Sequence, residues 1–120
     1  MAEGNEPQPL GVRTGTLTKV SSNIGDVEWA NFAQYGKLVI VTAKFTVTSV
    51  ISTNNEILFS GLPQRISDLS FQTVVPDITD STQDKFARLG VTNEGNLTNW
   101  YTTGGIKYGQ YVVNMAYFTR

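Results

Sequence analysis

The stretch Leu38-Val39-Ile40-Val41-Thr42-Ala43-Lys44-Phe45-Thr46-Val47-Thr48-Ser49-Val50-Ile51 decides the fold. Val39, Val41, Ala43, Phe45 and Val47 stand on one parity, and Lys44, Thr46 and Thr48 on the other. Successive side chains of a strand point to opposite faces, so this alternation describes a strand with one buried and one solvated face. Its first half is apolar on both parities. Leu38 and Ile40 are therefore expected under a second layer or at a subunit contact.

Working outward, the rest of the chain carries the same signal. Upstream, Thr16 to Val20 reads as a short strand, Ser21 to Asp26 as a turn cluster, and Val27 to Gln34 as a strand with a partly broken alternation. Its Trp29, on the parity of Val27, is expected in the core or at an interface. Downstream, Ile57 to Phe59 and Leu69 to Val75 read as strands, the second stopped by Pro76, which has no N–H to give a ladder. Residues 77–84 are polar and acidic and read as an exposed loop. Phe86 to Val91 and Leu97 to Tyr101 flank a five-residue loop containing Gly95, the mark of a hairpin. Tyr111, Val113, Met115 and Tyr117 then alternate with Gln110, Val112, Asn114 and Ala116. Phe45, Phe59, Phe71 and Phe86 are expected in the core. Seven or eight short strands with frequent turns, and no helical period with caps, predict an all-β domain, an antiparallel β-sandwich or jelly-roll-like fold.

A chain of 120 residues suits one domain. Residues 1–12, rich in Pro and Gly, read as a flexible linker or remnant, and residues 13–120 as the domain. They show neither the basic nor the apolar region of a signal peptide. Charged residues make up 16% of the chain, and the net charge is −1. Lys and Arg are scattered singly, so no stripe exists to neutralise phosphates, and nucleic acid is not an expected partner. No apolar run is long enough to span a bilayer as a helix, and no membrane partner is expected. Thr, Asn, Ser and Gln fill the polar surface, which suits uncharged partners such as sugars, or tight oligomers.

The chain has no Cys and no His. Disulfides, zinc sites built from those residues, and nucleophilic catalysis by Ser-His-Asp or Cys-His groups are thereby excluded. Glycosidase chemistry needs two carboxyl groups facing each other across a cleft. Asp26 and Glu28 share a parity and Glu94 stands alone, but nothing else marks a cleft, and the expectation is no catalytic residue, no cofactor and no enzyme. The glycines at 36, 61, 95, 104 and 105 read as turn positions; no phosphate-binding loop is present.

The order of the pieces carries a resemblance. A Trp strand leads into Tyr35-Gly36-Lys37-Leu38-Val39-Ile40-Val41. Then come Ile57-Leu58-Phe59-Ser60-Gly61-Leu62-Pro63, the hairpin Val91-Thr92-Asn93-Glu94-Gly95-Asn96-Leu97, and the closing strand Gly109-Gln110-Tyr111-Val112-Val113-Asn114-Met115-Ala116-Tyr117. Over about residues 14–120 the chain resembles the C-terminal head modules of bacteriophage tail fibres and the receptor-binding and baseplate proteins of siphophages of Gram-positive bacteria. That resemblance implies a homotrimer at the distal tip of a virion. It implies binding to host cell-surface saccharide, or a scaffold role toward other phage baseplate subunits. No ligand residue of the family is carried over. A carbohydrate-binding module appended to an enzyme is the rival outside the virion, and it predicts a monomer.

Trp100, Tyr101 and Tyr108 lie around the Thr102-Thr103-Gly104-Gly105 loop and are the first choice for a ligand platform. Aromatic faces stack on the apolar face of a sugar, and their polar tips bond hydroxyls. Asp77, Asp80 and Asp84 form the one acidic cluster and can accept hydrogen bonds from sugar hydroxyls. Their spacing fits no EF-hand loop, and no metal is expected.

Overall fold

A computed structural model of the chain describes residues 12–67, 69–82 and 84–120. Nine strands occur among them and no helix: β1 (Arg13–Thr16), β2 (Thr18–Lys19), β3 (Ile24–Tyr35), β4 (Leu38–Val47), β5 (Ile57–Ser60), β6 (Phe71–Pro76), β7 (Phe86–Val91), β8 (Leu97–Asn99) and β9 (Gly109–Phe118). The protein is all-β, as the alternation predicts. The strands form two antiparallel sheets, one in the order β1-β3-β4-β9 and the other in the order β2-β5-β8-β7-β6. Of the expected linker, residues 1–11 lie outside the described residues.

The β4–β9 ladder is the longest unbroken register. Val39 faces Tyr117, Val41 faces Met115, Ala43 faces Val113 and Phe45 faces Tyr111, all buried. The second sheet covers this surface with Leu58 and Phe59 of β5, Leu97 of β8, and Ala87, Leu89 and Val91 of β7. Phe45 meets Phe59 edge to face with ring centroids 5.4 Å apart, and stacks on Tyr111 at 6.0 Å. Burying one such side chain contributes roughly 1.5–3 kcal/mol. The two buried tyrosines leave no orphan hydroxyl. Tyr111 donates to Lys107 O at 2.9 Å and Tyr117 to Pro63 O at 2.6 Å.

Three expectations are corrected in detail, and for Trp29 and Ile40 one of the two expected settings is removed while an interface stays open. The strand expected over Thr16 to Val20 is divided between the sheets. β1 pairs with β3, β2 pairs with β5, and Leu17 is buried at the crossing. The strand expected to run to Ile51 ends at Val47, because the carbonyl of Asn23 accepts the N–H groups of Thr48 at 2.9 Å and Ser49 at 3.3 Å. Trp29 is not in the core. Two register shifts between Ile24 and Trp29 act as bulges, so Val27 packs against the core while Trp29, 39% exposed, points outward. Phe86 is likewise outside, 40% exposed, because Ala87, Leu89 and Val91 take the inner parity of β7. Ile40, 42% exposed, has no second layer over it among the described residues. Phe45 and Phe59 are buried as expected, and Phe71 is half-buried against Tyr117.

Gly95 closes the β7–β8 hairpin at φ +85°, and a Cβ there would lie 2.1 Å from the carbonyl oxygen of Leu62. Gly36 also has positive φ, +61°, but nothing stands within 4 Å of a Cβ there. Gly36→Ala is expected to cost about 1–2 kcal/mol, the left-handed backbone penalty. Gly95→Ala adds a clash with main chain and is expected to cost about 3 kcal/mol or more. Urea unfolding midpoints of the two variants check the difference.

Burial raises the Tyr111 phenol from 10.0 to about 12, with the charges of Asp77 and Asp80 adding to the effect. Burial raises Tyr117 as well. A group that releases its proton more readily when unfolded stabilises the unfolded chain as pH rises. Stability is therefore expected to fall as pH rises from 10 toward 12. A spectrophotometric titration should show two of the five tyrosines ionising only as the fold opens.

Candidate functional site

The outer face of the β6–β7 pair is built by parity. With Ala87, Leu89 and Val91 turned inward, Phe86 and Arg88 stand outward, opposite Pro76 and Val74 of β6. Gly90 faces outward too, and its missing side chain leaves room for Trp100. A Cβ at Gly90 would sit 3.1 Å from the indole ring. Trp100 thus lies half-buried on the sheet, and Tyr101 stands edge-on to it with ring centroids 5.5 Å apart at 89°.

The backbone that presents Tyr101 is fixed on both sides. Asn99, fully buried at the end of β8, donates from Nδ2 to Thr53 O at 3.0 Å. Its Oδ1 accepts the Thr102 hydroxyl at 2.7 Å. The same hydroxyl accepts the main-chain N–H of Arg88 at 2.9 Å, and the Trp100 N–H donates to Arg88 O at 2.8 Å. Between these anchors Tyr101 takes φ 55°, one of two non-glycine residues with positive φ among the described residues. Such a conformation costs about 1–3 kcal/mol and recurs at binding sites, where the surroundings hold it in place. The ring stays half exposed.

Tyr101 and Thr103 of the loop, Phe86 and Arg88 of β7, and Gln72, Thr73 and Val74 of β6 line an open cleft of about 430 Å³. The Arg88 guanidinium donates to Gln72 Oε1 at 3.0 Å. Two aromatic faces beside two hydroxyls, an amide and a guanidinium form an amphipathic surface that can stack on a ring and bond its hydroxyls.

The expected site residues separate here. Tyr101 lines the cleft and Trp100 supports it. Tyr108 is exposed but is not among the lining residues. None of the three aspartates lines the cleft. Asp77 differs from the exposed loop expected for residues 77–84: it is 2% exposed. Its Oδ1 accepts the Thr79 N–H at 2.8 Å, the Thr79 hydroxyl at 2.6 Å and the Gln110 N–H at 3.2 Å, clipping the loop to β9. Its other oxygen abuts Gly109, where a Cβ would lie 2.0 Å away. Asp80 closes the loop on itself, accepting the Thr82 hydroxyl at 2.6 Å and the N–H groups of Thr82, Asp84 and Lys85 at 2.9–3.0 Å. The Thr82 hydroxyl, with the three N–H groups, outweighs the opposing desolvation and holds its pKa at about 2. Asp84 is exposed. No group of three or more potential metal ligands occurs among the described residues.

Gln72, Thr73, Val74, Phe86, Arg88 and Thr103 were not foreseen as lining residues. For Phe86 and Arg88 a usable signal existed, the alternation of Ala87, Leu89 and Val91.

A second concavity, about 500 Å³, lies on the other sheet between Thr14, Thr16, Asn31, Ala33, Ile40 and Thr42. The register sets Thr16, Asn31, Thr42 and Asn114 in one row across four strands, and Ala33, Ile40 and Ala116 in the next. The Trp29 indole donates to Thr42 Oγ1 at 2.9 Å, with Lys44 over the ring at 5.7 Å and paired to Glu28 at 3.3 Å. Asp26, Glu28 and Glu94 line neither concavity.

Comparison with protein families finds no family model that matches this chain, and searches of curated proteins and of solved structures find no match.

Thr102→Val keeps the side-chain shape but removes a buried acceptor and donor. It is expected to destabilise the protein by about 1–3 kcal/mol. Near-ultraviolet circular dichroism should lose the Trp100–Tyr101 signal more than far-ultraviolet dichroism loses the strand signal.

Proposed function

We propose that this chain is the tip module of a bacteriophage tail fibre or baseplate protein, a non-catalytic β-sandwich that binds host cell-surface saccharide in the cleft under Tyr101. The order of sequence motifs supports the virion setting, and the two antiparallel sheets agree with a head-type fold. The observation that carries the saccharide reading is Tyr101 itself. An exposed aromatic is held in a costly backbone conformation above a cleft lined by Phe86, Gln72, Arg88, Thr73 and Thr103. Stacking supplies the affinity for the sugar's apolar face, and the short polar side chains set its orientation. A shallow site of this kind binds weakly. Assembly as a homotrimer, with many copies on one virion, turns weak sites into useful adhesion.

One observation favours the scaffold role as the second reading. Trp29, Ile40 and Phe118 leave exposed apolar surface on the outer face of the β1-β3-β4-β9 sheet, beside the Thr and Asn row. A face of that kind suits another protein surface, either a second protomer or a neighbouring baseplate subunit.

Binding of the purified chain to intact Gram-positive cells and to their extracted wall glycan tests the first reading. Tyr101→Ala and Phe86→Ala are each expected to weaken binding about tenfold, the scale of one aromatic contact. Equal binding by Tyr101→Ala and the parent chain overturns it. Light scattering reports the trimer in the same samples.

A further inference from the structure

We infer that the sugar taken by the Tyr101 cleft is anionic, carrying a carboxylate or a phosphate that Arg88 receives; this rests on the saccharide reading above. Arg88 is the one charged side chain among the lining residues. It projects from β7, an inner strand held between β6 and β8. Its main chain is pinned at both ends of the residue, by the Thr102 hydroxyl on the N–H and by the Trp100 N–H on the carbonyl. The guanidinium is steered by a neutral partner, the Gln72 amide oxygen at 3.0 Å. Guanidinium has five N–H donors in a fixed fork, and that contact uses one of them.

Among the described residues, no carboxylate lines the cleft beside this cation. Asp84, the acidic residue nearest β7 on its N-terminal side in sequence, is exposed and does not line the cleft. Asp80 spends both oxygens on its own loop. Asp77 is buried, its Oδ1 holding Thr79 and the Gln110 N–H and its Oδ2 lying against Gly109. The ion pair between side chains found among the described residues, Lys44 with Glu28, belongs to the other sheet. A planar fork presented on a rigid strand, oriented by a neutral group and with no described carboxylate beside it in the cleft, matches carboxylate or phosphate better than a neutral hydroxyl. The aromatic rings on either side give the same ligand a place for its sugar ring. Arg88 would then fix the charged substituent while Tyr101 and Phe86 cover the ring.

The probe is an array of bacterial capsular and wall glycans in matched pairs. One set pairs uronic-acid polymers with their carboxyl-reduced forms. The other pairs glycerol-phosphate-bearing polymers with their dephosphorylated forms. The chain is expected to bind acidic members roughly ten- to a hundred-fold more tightly than their neutral counterparts, the scale of a hydrogen bond to a charged group. The preference should shrink as salt rises. Which set shows it identifies carboxylate or phosphate as the source. Arg88→Gln should abolish the preference and Arg88→Lys should retain part of it, both melting like the parent chain. If acidic and neutral members bind equally and Tyr101→Ala still weakens both, the anion claim is overturned and the saccharide reading stands. If no pair binds, both are overturned.

Discussion

Ten consecutive residue pairs hold β4 against β9, from Leu38 opposite Phe118 to Val47 opposite Gly109. Because side chains alternate with period two, that register decides at once what is inside. Val39, Val41, Ala43 and Phe45 join Tyr117, Met115, Val113 and Tyr111 as one apolar slab. A slip by one residue would turn Lys44 and Thr46 inward, at a cost no local gain could offset. The second sheet has a surface to cover only because this ladder holds.

The cleft is a consequence of the same packing, one layer further out. Once Ala87, Leu89 and Val91 meet the slab, Phe86 and Arg88 have nowhere to go but outward. Once Leu97 of β8 is buried, the chain leaves the core at Asn99, and the Asn99–Thr102 bonds tie the departing loop back onto β7. The carboxylate of Asp77 does the corresponding work just past the C-terminal end of β6, by holding the loop that follows it to Gln110. Both clips use buried polar groups whose partners come from distant strands, so cleft geometry and fold stability rise and fall together.

What could be read in advance follows from this distinction between local and distant causes. The inner faces of β4 and β9 were legible, since parity alone places Val39 through Val47 and Tyr111 through Tyr117. The outward turn of Trp29 was not. A bulge inserts a residue without leaving a compositional mark, and every side chain beyond it changes face. Phe86 misled through its identity, because a large aromatic at a strand's first position looks like core although its neighbours' alternation puts it outside. Asp77 looked like an exposed loop residue because its burial depends on Gly109, thirty-two positions away and lacking the Cβ that would clash with it. Tyr101 was legible as a loop aromatic, but its placement beside Gln72, Phe86 and Arg88 needs the sheet order β8-β7-β6, which no local pattern encodes.

The cost of the Tyr101 backbone conformation bears on why such a site is built this way. A loop free to choose its dihedrals would present the same phenol in many orientations and lose that freedom on binding. Here the Asn99 and Thr102 bonds meet the cost during folding, and the ring stands ready over the cleft before any ligand arrives. Arg88 is treated alike, its main chain held at both amide groups and its fork oriented by Gln72. For a shallow open cleft, where each contact is worth little, such preorganisation is what leaves any net affinity to be multiplied by repetition.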